Sequence, residues 1–395
     1  MHSVWLEKSV PRILLALALK RLWPGITLSP LSPIREGEER VDGLPGPGWV
    51  RVENRLSGIC GTDLHYLQVD VDPMIHGAAL PGYERIYLGH EVYSVVTEVG
   101  PEVEGLTVGD RVALQKEATC VSQGLAPPCP HCARGNYSLC ENQSANVGPH
   151  KIGGGFSGEM VVHASQLWRV PDTLGDEAAV LLEPLAVGVR AALRRPPRPG
   201  QKVLVIGCGI IGLGLIDALR IVQPEAEVWA LARHPHQRAA AEARGARILE
   251  GELLEATAEV TGAKLYQGEF GNRTLLGGFD LIHDCVGSAR TTQEGLRACR
   301  AGGALVMVGL SLSRMKVDLT PVWHQEVDLV GSLIHGVEEW EGERLSTYDL
   351  TGRWLAEGRL STEGLITHRY PRARWREAVR KALAKREGVI KVVLE

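Results

Sequence analysis

Ten residues constrain this chain more than any others: VLVIGCGIIG at positions 203–212. An unbroken apolar run of this kind reads as a strand buried on both faces, as in parallel sheets with helices packed above and below. The run enters G-x-G-x-x-G and continues as an apolar, helix-like stretch. Each glycine has its own physical reason. Gly207 permits the tight turn, Gly209 lets a pyrophosphate approach the backbone, and Gly212 lets the helix pack closely on the strand. The amides that open the helix, from Ile210 and Ile211 to Gly212, lack intrahelical partners and are free to meet phosphate oxygens. The reading is a dinucleotide-binding turn. A glycine-rich turn without a ligand, inside an α/β core, is the alternative.

The sequence around this turn agrees with a parallel sheet. After PPRPG at 196–200, apolar runs at 203–206, 228–231, 281–282 and 304–308 alternate with helix-like stretches, the pattern of βαβ units. The second run ends in Ala232 and Arg233. A site for NAD places an acid here, on the ribose 2′-hydroxyl, about 20 residues past the glycines. This chain offers no carboxylate to repel a 2′-phosphate. Arg233 has the guanidinium fork that binds one, and Arg238 adds charge. The pair favours NADP over NAD, the alternative being that Arg233 is a solvated strand end.

Four of the eight cysteines lie in one loop-like segment, Cys120, Cys129, Cys132 and Cys140, separated by eight, two and seven residues. The C-x2-C pair lets two thiolates meet one tetrahedral ion, and two more close the shell. Such a shell has no open position, so it fastens a loop and does no catalysis. Free cysteines or a disulfide pair form the alternative. His131, between two of these cysteines, is either an alternate ligand or a solvated side chain.

Composition excludes several functions. The formal net charge is −4 with no long basic run, which argues against nucleic-acid and membrane partners. The apolar run at 13–19, bracketed by Arg12 and by Lys20 and Arg21, is too short to span a bilayer. Ala16, Leu17 and Ala18 form a small-residue pattern of the signal-peptide type, but the basic pair follows at once. Thiolate ligands also suit a reducing compartment, so a cytoplasmic location is expected. A chain of 395 residues has room for two or three domains. Residues 4–7 read as a strand. Residues 24–48, with five prolines and five glycines, read as mostly loop. Residues 49–115 show short β-rich runs separated by turn signals, as in a small mostly-β domain.

Three further motifs carry chemistry: GICGTDLH at 58–65, GHE at 89–91 and LLEPL at 181–185. Cys60, His90 and Glu183 bring a thiolate, an imidazole and a carboxylate, which with water make an open zinc site. Glu183 sits in an apolar run, and a buried carboxylate needs a partner. Pro184 is expected to push Glu183 out of helical geometry and so aim it.

With these motifs in this order, the chain resembles the zinc-dependent medium-chain alcohol dehydrogenases, in the branch of sorbitol, threonine and glucose dehydrogenases. VGDRV at 108–112, LLEPLAVGV at 181–189 and GGALVMVGL at 302–310 extend the resemblance over nearly the whole chain. It implies an α/β protein of two domains. A mostly-β GroES-like catalytic domain would span 1–188, with a structural zinc lobe at 115–142. A Rossmann domain with a doubly wound parallel sheet would span 189–333, and 334–395 would return to the catalytic domain. It implies Cys60, His90 and Glu183 as catalytic zinc ligands, and Cys120, Cys129, Cys132 and Cys140 as the structural zinc shell. Glu91, next to His90 on a strand, is expected on the opposite face, behind the metal or joining it in some states.

The resemblance also implies hydride transfer between a nicotinamide cofactor and an alcohol, polyol, sugar or β-hydroxy amino acid. Thr62 would take the substrate proton and His65 would form the outer end of the relay. Asp63 would be purely structural, and Val286, Gly309 and Leu310 would line the cofactor. A homodimer or homotetramer is implied. Two departures stand out. Ala126 occupies the usual place of the lobe's first cysteine, so Cys120 must reach the shell from a longer loop. An additional segment lies around residues 10–32. Two competing readings are a zinc-free quinone or enone reductase on the same fold and a non-catalytic cofactor-binding protein. The set Cys60, His90 and Glu183 argues against both.

Overall fold

The β-rich texture of the first half becomes short strands that each bury one face. A computed structural model describes residues 1–72, 74, 84–115, 119–143, 151–385 and 387–395. The first lobe residues, 116–118, lie outside that set. The backbone divides into two units. One comprises Met1–Glu183, Glu341–Gly352 and Leu365–Glu395; the other comprises Pro184–Trp340 and Arg353–Gly364.

The first unit begins with β1 (His2–Glu7), α1 (Val10–Leu19), β2 (Ile34–Glu38), β3 (Trp49–Gly58), α2 (Gly61–Leu67), β4 (Arg85–Tyr87), β5 (Glu91–Val99) and β6 (Arg111–Leu114). The cysteine lobe with α3 (Pro130–Ala133) follows, then β7 (Glu159–His163) and β8 (Leu167–Arg169). A three-stranded sheet runs β2-β1-β4. The larger sheet runs from the C-terminal strands Ile366–Tyr370 and Lys391–Leu394 through β3, β5 and β6 to β8, with β7 also paired to β3. Valines at alternate positions of β3 (Val50, Val52) meet Val92, Val96, Val112 and Met160 in one core cluster. Full burial of each such side chain contributes about 2 kcal/mol. Asn54 is the polar exception in this core. Its amide donates to the carbonyls of Gly154 (3.0 Å) and Ser157 (2.8 Å) and its oxygen accepts from Ser94 Oγ, so the group is fully satisfied.

Residues 24–48, expected as mostly loop, are so apart from a 3-10 helix, Pro24–Leu28, and the strand β2. The strand exists because it pairs antiparallel with β1, a tertiary partner that overrides weak local propensity. A correction concerns Pro184. The helix α4 (Asp176–Arg194) runs straight through it, so Glu183 stays helical. Packing supplies the reason, since Ala179 to Leu182 and Leu185 to Val189 are buried. Burial on all sides holds a helix that proline alone would interrupt.

The second unit contains β9 (Lys202–Ile206), α5 (Ile210–Val222), β10 (Glu227–Leu231), α6 (Pro235–Ala243), β11 (Arg247–Ile248) and α7 (Leu253–Thr261). A hairpin of β12 (Lys264–Gln267) and β13 (Arg273–Leu276) follows, then β14 (Phe279–Asp284), α8 (Ala289–Ala298), β15 (Cys299–Met307) and β16 (Asp328–Gly331). The six-stranded sheet has the order β11-β10-β9-β14-β15-β16 and every pair is parallel. Strand order reverses between β9 and β14, which opens a crevice beyond their C-terminal ends. The turn at 207–212 lies at that place.

Candidate metal centres and cofactor turn

Strand register brings the first cluster together. In the β3–β5 pair Gly58 lies opposite Glu91, and Gly58 also lies opposite Val393 of the C-terminal strand. Cys60 and His90 therefore sit at neighbouring strand ends although 29 residues separate them in sequence. Ligand atoms of Cys60, His90 and Glu91 lie within 4.8 Å of one another. That spacing suits one cation with bonds of about 2.0–2.3 Å.

Asp63 locks the two ligand loops to each other. One carboxylate oxygen accepts from the Cys60 amide at 3.0 Å, and the other accepts from the Gly89 amide at 2.9 Å. Gly89 has φ +84°, and a Cβ there would fall 2.7 Å from Gly155 Cα, so only glycine fits before His90. Burial opposes a charge on His90. The Cys60 thiolate, Asp63 and Glu183 overcome it and raise the imidazole well above its ordinary value. The surroundings are thus anionic, as a cation site requires.

The two glutamates differ in their partners. Glu91 curls over the strand, because Gly58 leaves it room: a Cβ at Gly58 would lie 1.9 Å from Glu91 Oε2. His90 lies just outside β5, so alternation along the strand does not separate it from Glu91, whose carboxylate lies within 4.8 Å of the Cys60 and His90 ligand atoms. Both its oxygens accept from Lys391 Nζ at 2.6 Å, and Lys391 also donates to the Ile59 carbonyl at 3.2 Å. Glu183 lies outside the 4.8 Å triple but couples electrostatically to His90 and Glu91. Burial pushes its carboxyl up to about 7, with His90 opposing and Glu91 reinforcing the shift. Among the described residues Glu183 has no hydrogen bond and no ion pair. A carboxylate only 7% exposed and without a partner is suited to a metal.

Thr62 and His65 are three residues apart on α2 and so share a face. Thr62 Oγ1 lies 3.7 Å from Cys60 Sγ. His65 Nδ1 lies 3.4 Å from the Asp70 carboxylate, and the side chain is one-third exposed.

The four lobe cysteines converge. Cys120, Cys129, Cys132 and Cys140 are all buried, with sulfurs within 4.8 Å of one another. Cys120 and Cys140 sulfurs are 3.7 Å apart. A disulfide needs about 2.05 Å; two thiolates at tetrahedral corners of a zinc ion, each bonded at about 2.3 Å, stand roughly 3.8 Å apart. Backbone amides of Cys129, Cys132 and Asn142 and the Asn142 side chain point at the sulfurs. Amides of Cys132 and Glu141 hold the Cys129 thiol down to about 6, while burial pushes Cys132 and Cys140 up. Four buried sulfurs at this spacing suit a thiophilic cation. His131 is turned toward Glu141, 3.7 Å away, and not toward the sulfurs.

In the second unit Gly207 has φ +92°, and a Cβ at Gly212 would lie 2.0 Å from the Gly207 carbonyl oxygen, so helix and turn touch. A Cβ at Gly209 would meet nothing within 4 Å, and no side chain caps α5 there. The amides at Ile210 and Ile211 thus open on free space next to Gly209, where a phosphate could approach the backbone. Asp284 organises the facing loop. Its carboxylate accepts from the amides of Val286 and Gly287 and from the hydroxyls of Thr291 and Thr292. Val286 and Leu310 remain half exposed, and Gly309 packs against Gly287 too closely for a side chain. Arg233 is exposed and makes no ion pair among the described residues. Arg238 is already engaged, donating to the Ala232 carbonyl at 3.0 Å and lying 3.6 Å from Glu250.

Asp63, expected to be purely structural, fills a structural role by tying the two loops together through the Cys60 and Gly89 amides. Sequence reading passed over one residue. Lys391 drew no attention, although a lysine inside the apolar run VIKVVL at 389–394 is a signal of a buried counter-ion.

Comparison with known proteins gives a consistent picture. Residues 46–172 match the alcohol dehydrogenase GroES-like domain, and residues 211–347 match the zinc-binding dehydrogenase domain. The chain is 32% identical to sorbitol dehydrogenase of Arabidopsis thaliana, over 82% of each protein. It is 32% identical to L-idonate 5-dehydrogenase of Vitis vinifera, over 82% of this chain and 81% of the relative. The fold is similar to the crystal structure of 2R,3R-butanediol dehydrogenase from Bacillus subtilis, with a TM-score of 0.70 and 25% identity over 92% of this chain and 96% of that one.

Proposed function

The chain belongs to the zinc-dependent medium-chain alcohol dehydrogenase family, and from that premise we propose that it oxidises a polyol or sugar-acid alcohol with NADP. Members of the family are oxidoreductases, and this chain is one of them, moving a hydride between an alcohol and a nicotinamide cofactor. The observation that carries the metal assignment is the convergence of Cys60, His90 and Glu91 within 4.8 Å, with the buried carboxylate of Glu183 coupled to His90. Cys60, His90 and Glu183 would hold the catalytic zinc. Glu91, whose two oxygens accept from Lys391, stands close to the first two. The lobe tetrad Cys120, Cys129, Cys132 and Cys140 holds a second, structural zinc. Bound zinc supplies Lewis acidity toward an alcohol oxygen, and the cofactor supplies the hydride chemistry.

The chain's own residues do the rest. Thr62, beside Cys60, would accept the hydroxyl proton at Oγ1 while passing its own hydroxyl proton on toward His65. His65, on the same helix face and partly exposed, would take up a proton on one side and release one to solvent. Asp63 fixes the positions of Cys60 and His90. Ile210, Ile211 and Gly212 present amides to the pyrophosphate, with Gly207 and Gly209 shaping the turn. Val286, Gly309 and Leu310 border the cofactor. Arg233 is the residue free to meet a 2′-phosphate; Arg238, tied to Ala232 and Glu250, orients the strand end. Eight unpaired thiols suit a reducing compartment, which supports a cytoplasmic location.

Absorbance of the reduced nicotinamide, followed with zinc-replete protein over polyols, sugar acids, threonine and simple alcohols, tests the reading. Turnover with a polyol or sugar acid, faster with NADP, is expected. Silence across the panel with full metal content would refute it. In Arg233→Asp the preference for NADP over NAD should fall by about a hundredfold, from a lost charged contact and added repulsion. An unchanged ratio would rule out the phosphate role. In Cys132→Ala the structural zinc should be lost and the catalytic zinc kept, with a cost of about 3–5 kcal/mol from the unbalanced sulfurs and a fall in Tm on the order of 10 °C. Elemental analysis and calorimetry read both; full metal content in that variant would remove the tetrad from the scheme.

A further inference from the structure

The short helix α2, which carries Thr62 and His65, ends in a bend that its own sequence does not favour. The Asp70 amide donates to the His65 carbonyl at 2.9 Å, and the Val69 amide donates to the Tyr66 carbonyl at 3.1 Å. This pair of bonds closes a helix through one left-handed residue, a place that glycine ordinarily takes. Here the residue is Val69, with φ +51°. A β-branched side chain is strained in that region, and such strain persists only where the surroundings hold it. Two holds are visible. Val69 is buried, and its carbonyl accepts from Lys20 Nζ at 3.2 Å. Lys20 closes α1, in the additional segment between β1 and β2. That segment is itself pinned by the fully buried Ala16 and Ile26 and by the bond from Arg12 to the Pro30 carbonyl at 2.8 Å.

The bend turns Asp70 back over the helix end. Its carboxylate lies 3.4 Å from His65 Nδ1. That nitrogen is buried and has no hydrogen bond among the described residues, so a slight turn of the ring gives it the carboxylate as acceptor. A carboxylate on one ring nitrogen fixes the tautomer: the proton stays on Nδ1, and Nε2 keeps its lone pair. A ring in that form takes a proton at Nε2 and returns one to water, and the carboxylate balances the imidazolium formed in between. Without Asp70 the ring is free to carry its proton on Nε2, which then has no lone pair for an incoming proton. We infer that Asp70 and Lys20 are positioning residues of the proton relay: Lys20 holds the Val69 bend, and the bend holds Asp70 on His65. The inference rests on the reading of Thr62 and His65 as that relay. It gives the additional segment a role, as the brace that lets valine stand where glycine is usual. The alternative is an ion pair without consequence, since Asp70 is half exposed.

Magnetic resonance of the full-length protein, labelled with nitrogen-15 at histidine, tests the arrangement without substrate. At a pH where the imidazoles are neutral, the His65 signals, identified by their loss in His65→Gln, should report the Nδ1–H form. Asp70→Ala and Lys20→Met should each move them toward the Nε2–H form. The nicotinamide assay, with zinc-replete protein and the alcohol of the panel above that turns over fastest, gives the second readout. Asp70→Ala should lower kcat about tenfold and leave KM for the alcohol within about twofold, less than a placed acid–base group supplies because water also reaches the ring. Lys20→Met keeps the apolar stem, removes the bond to Val69 and should lower kcat about threefold. Adding Val69→Gly to Lys20→Met should restore both readouts, since glycine takes the left-handed bend without a brace. Wild-type turnover in His65→Gln would refute the relay reading and this inference with it. A large loss in His65→Gln beside a wild-type tautomer or wild-type kcat in Asp70→Ala would leave the relay standing and overturn the inference. So would a Lys20→Met protein that matches wild type in either readout, or a double variant no better than the single.

Discussion

Cys60→Ala protein is expected to fold, carry about half the wild-type metal, and lose turnover by a factor of about a thousand or more. The fold survives because the backbone around Cys60 is fixed by other groups. Asp63 accepts the Cys60 amide, and the Ile59 amide donates to the Val392 carbonyl at 3.0 Å. Removing the sulfur therefore removes a ligand and little else. The loss of rate follows from the loss of Lewis acidity, worth several kcal/mol at about 1.4 kcal/mol per tenfold. Circular dichroism, elemental analysis and the nicotinamide assay separate the possibilities. Native-like spectra with halved metal and no turnover support the assignment. Full activity at halved metal would exclude this centre from catalysis.

Lys391→Met should cost about 3–5 kcal/mol of stability, because it leaves the Glu91 carboxylate buried and uncompensated. The Tm should fall on the order of 10 °C. Both partners are nearly inaccessible, at 3% and 1% side-chain exposure. Adding Glu91→Gln should restore most of the loss, since the unpaired charge is then gone. Burial opposes the lysine's charge, but Glu91 and Cys60 outweigh it and raise its pKa. A raised lysine stabilises the fold fully below its unfolded pKa and loses that contribution only as pH rises through the folded value. The penalty in Lys391→Met should therefore be flat across neutral pH and shrink only in strong base. A variant as stable as wild type, or a double variant no better than the single, would show that the pair is not what holds this corner.

The parallel sheet was legible because its signals are local: an apolar strand, a glycine turn and an apolar helix in sequence. The metal residues were legible as types, since thiolate, imidazole and carboxylate stand out in apolar runs. Their partners were not. Lys391 meets Glu91 across 300 residues, and only strand register could place it there. Glu91 was expected behind the metal or joining it in some states; its approach to Cys60 and His90 depends on Gly58 opposite, where a Cβ would lie 1.9 Å from the carboxylate. Pro184 was expected to end helical geometry, yet the buried surroundings of α4 outweigh one lost hydrogen bond.

The strand Lys391–Leu394 supplies the counter-ion of Glu91 across 300 positions of sequence, so this corner closes only after a very large loop has been shut. Contacts of such separation are late rewards in folding, and the carboxylate beside Cys60 and His90 stays without its cation until the two distant segments have met.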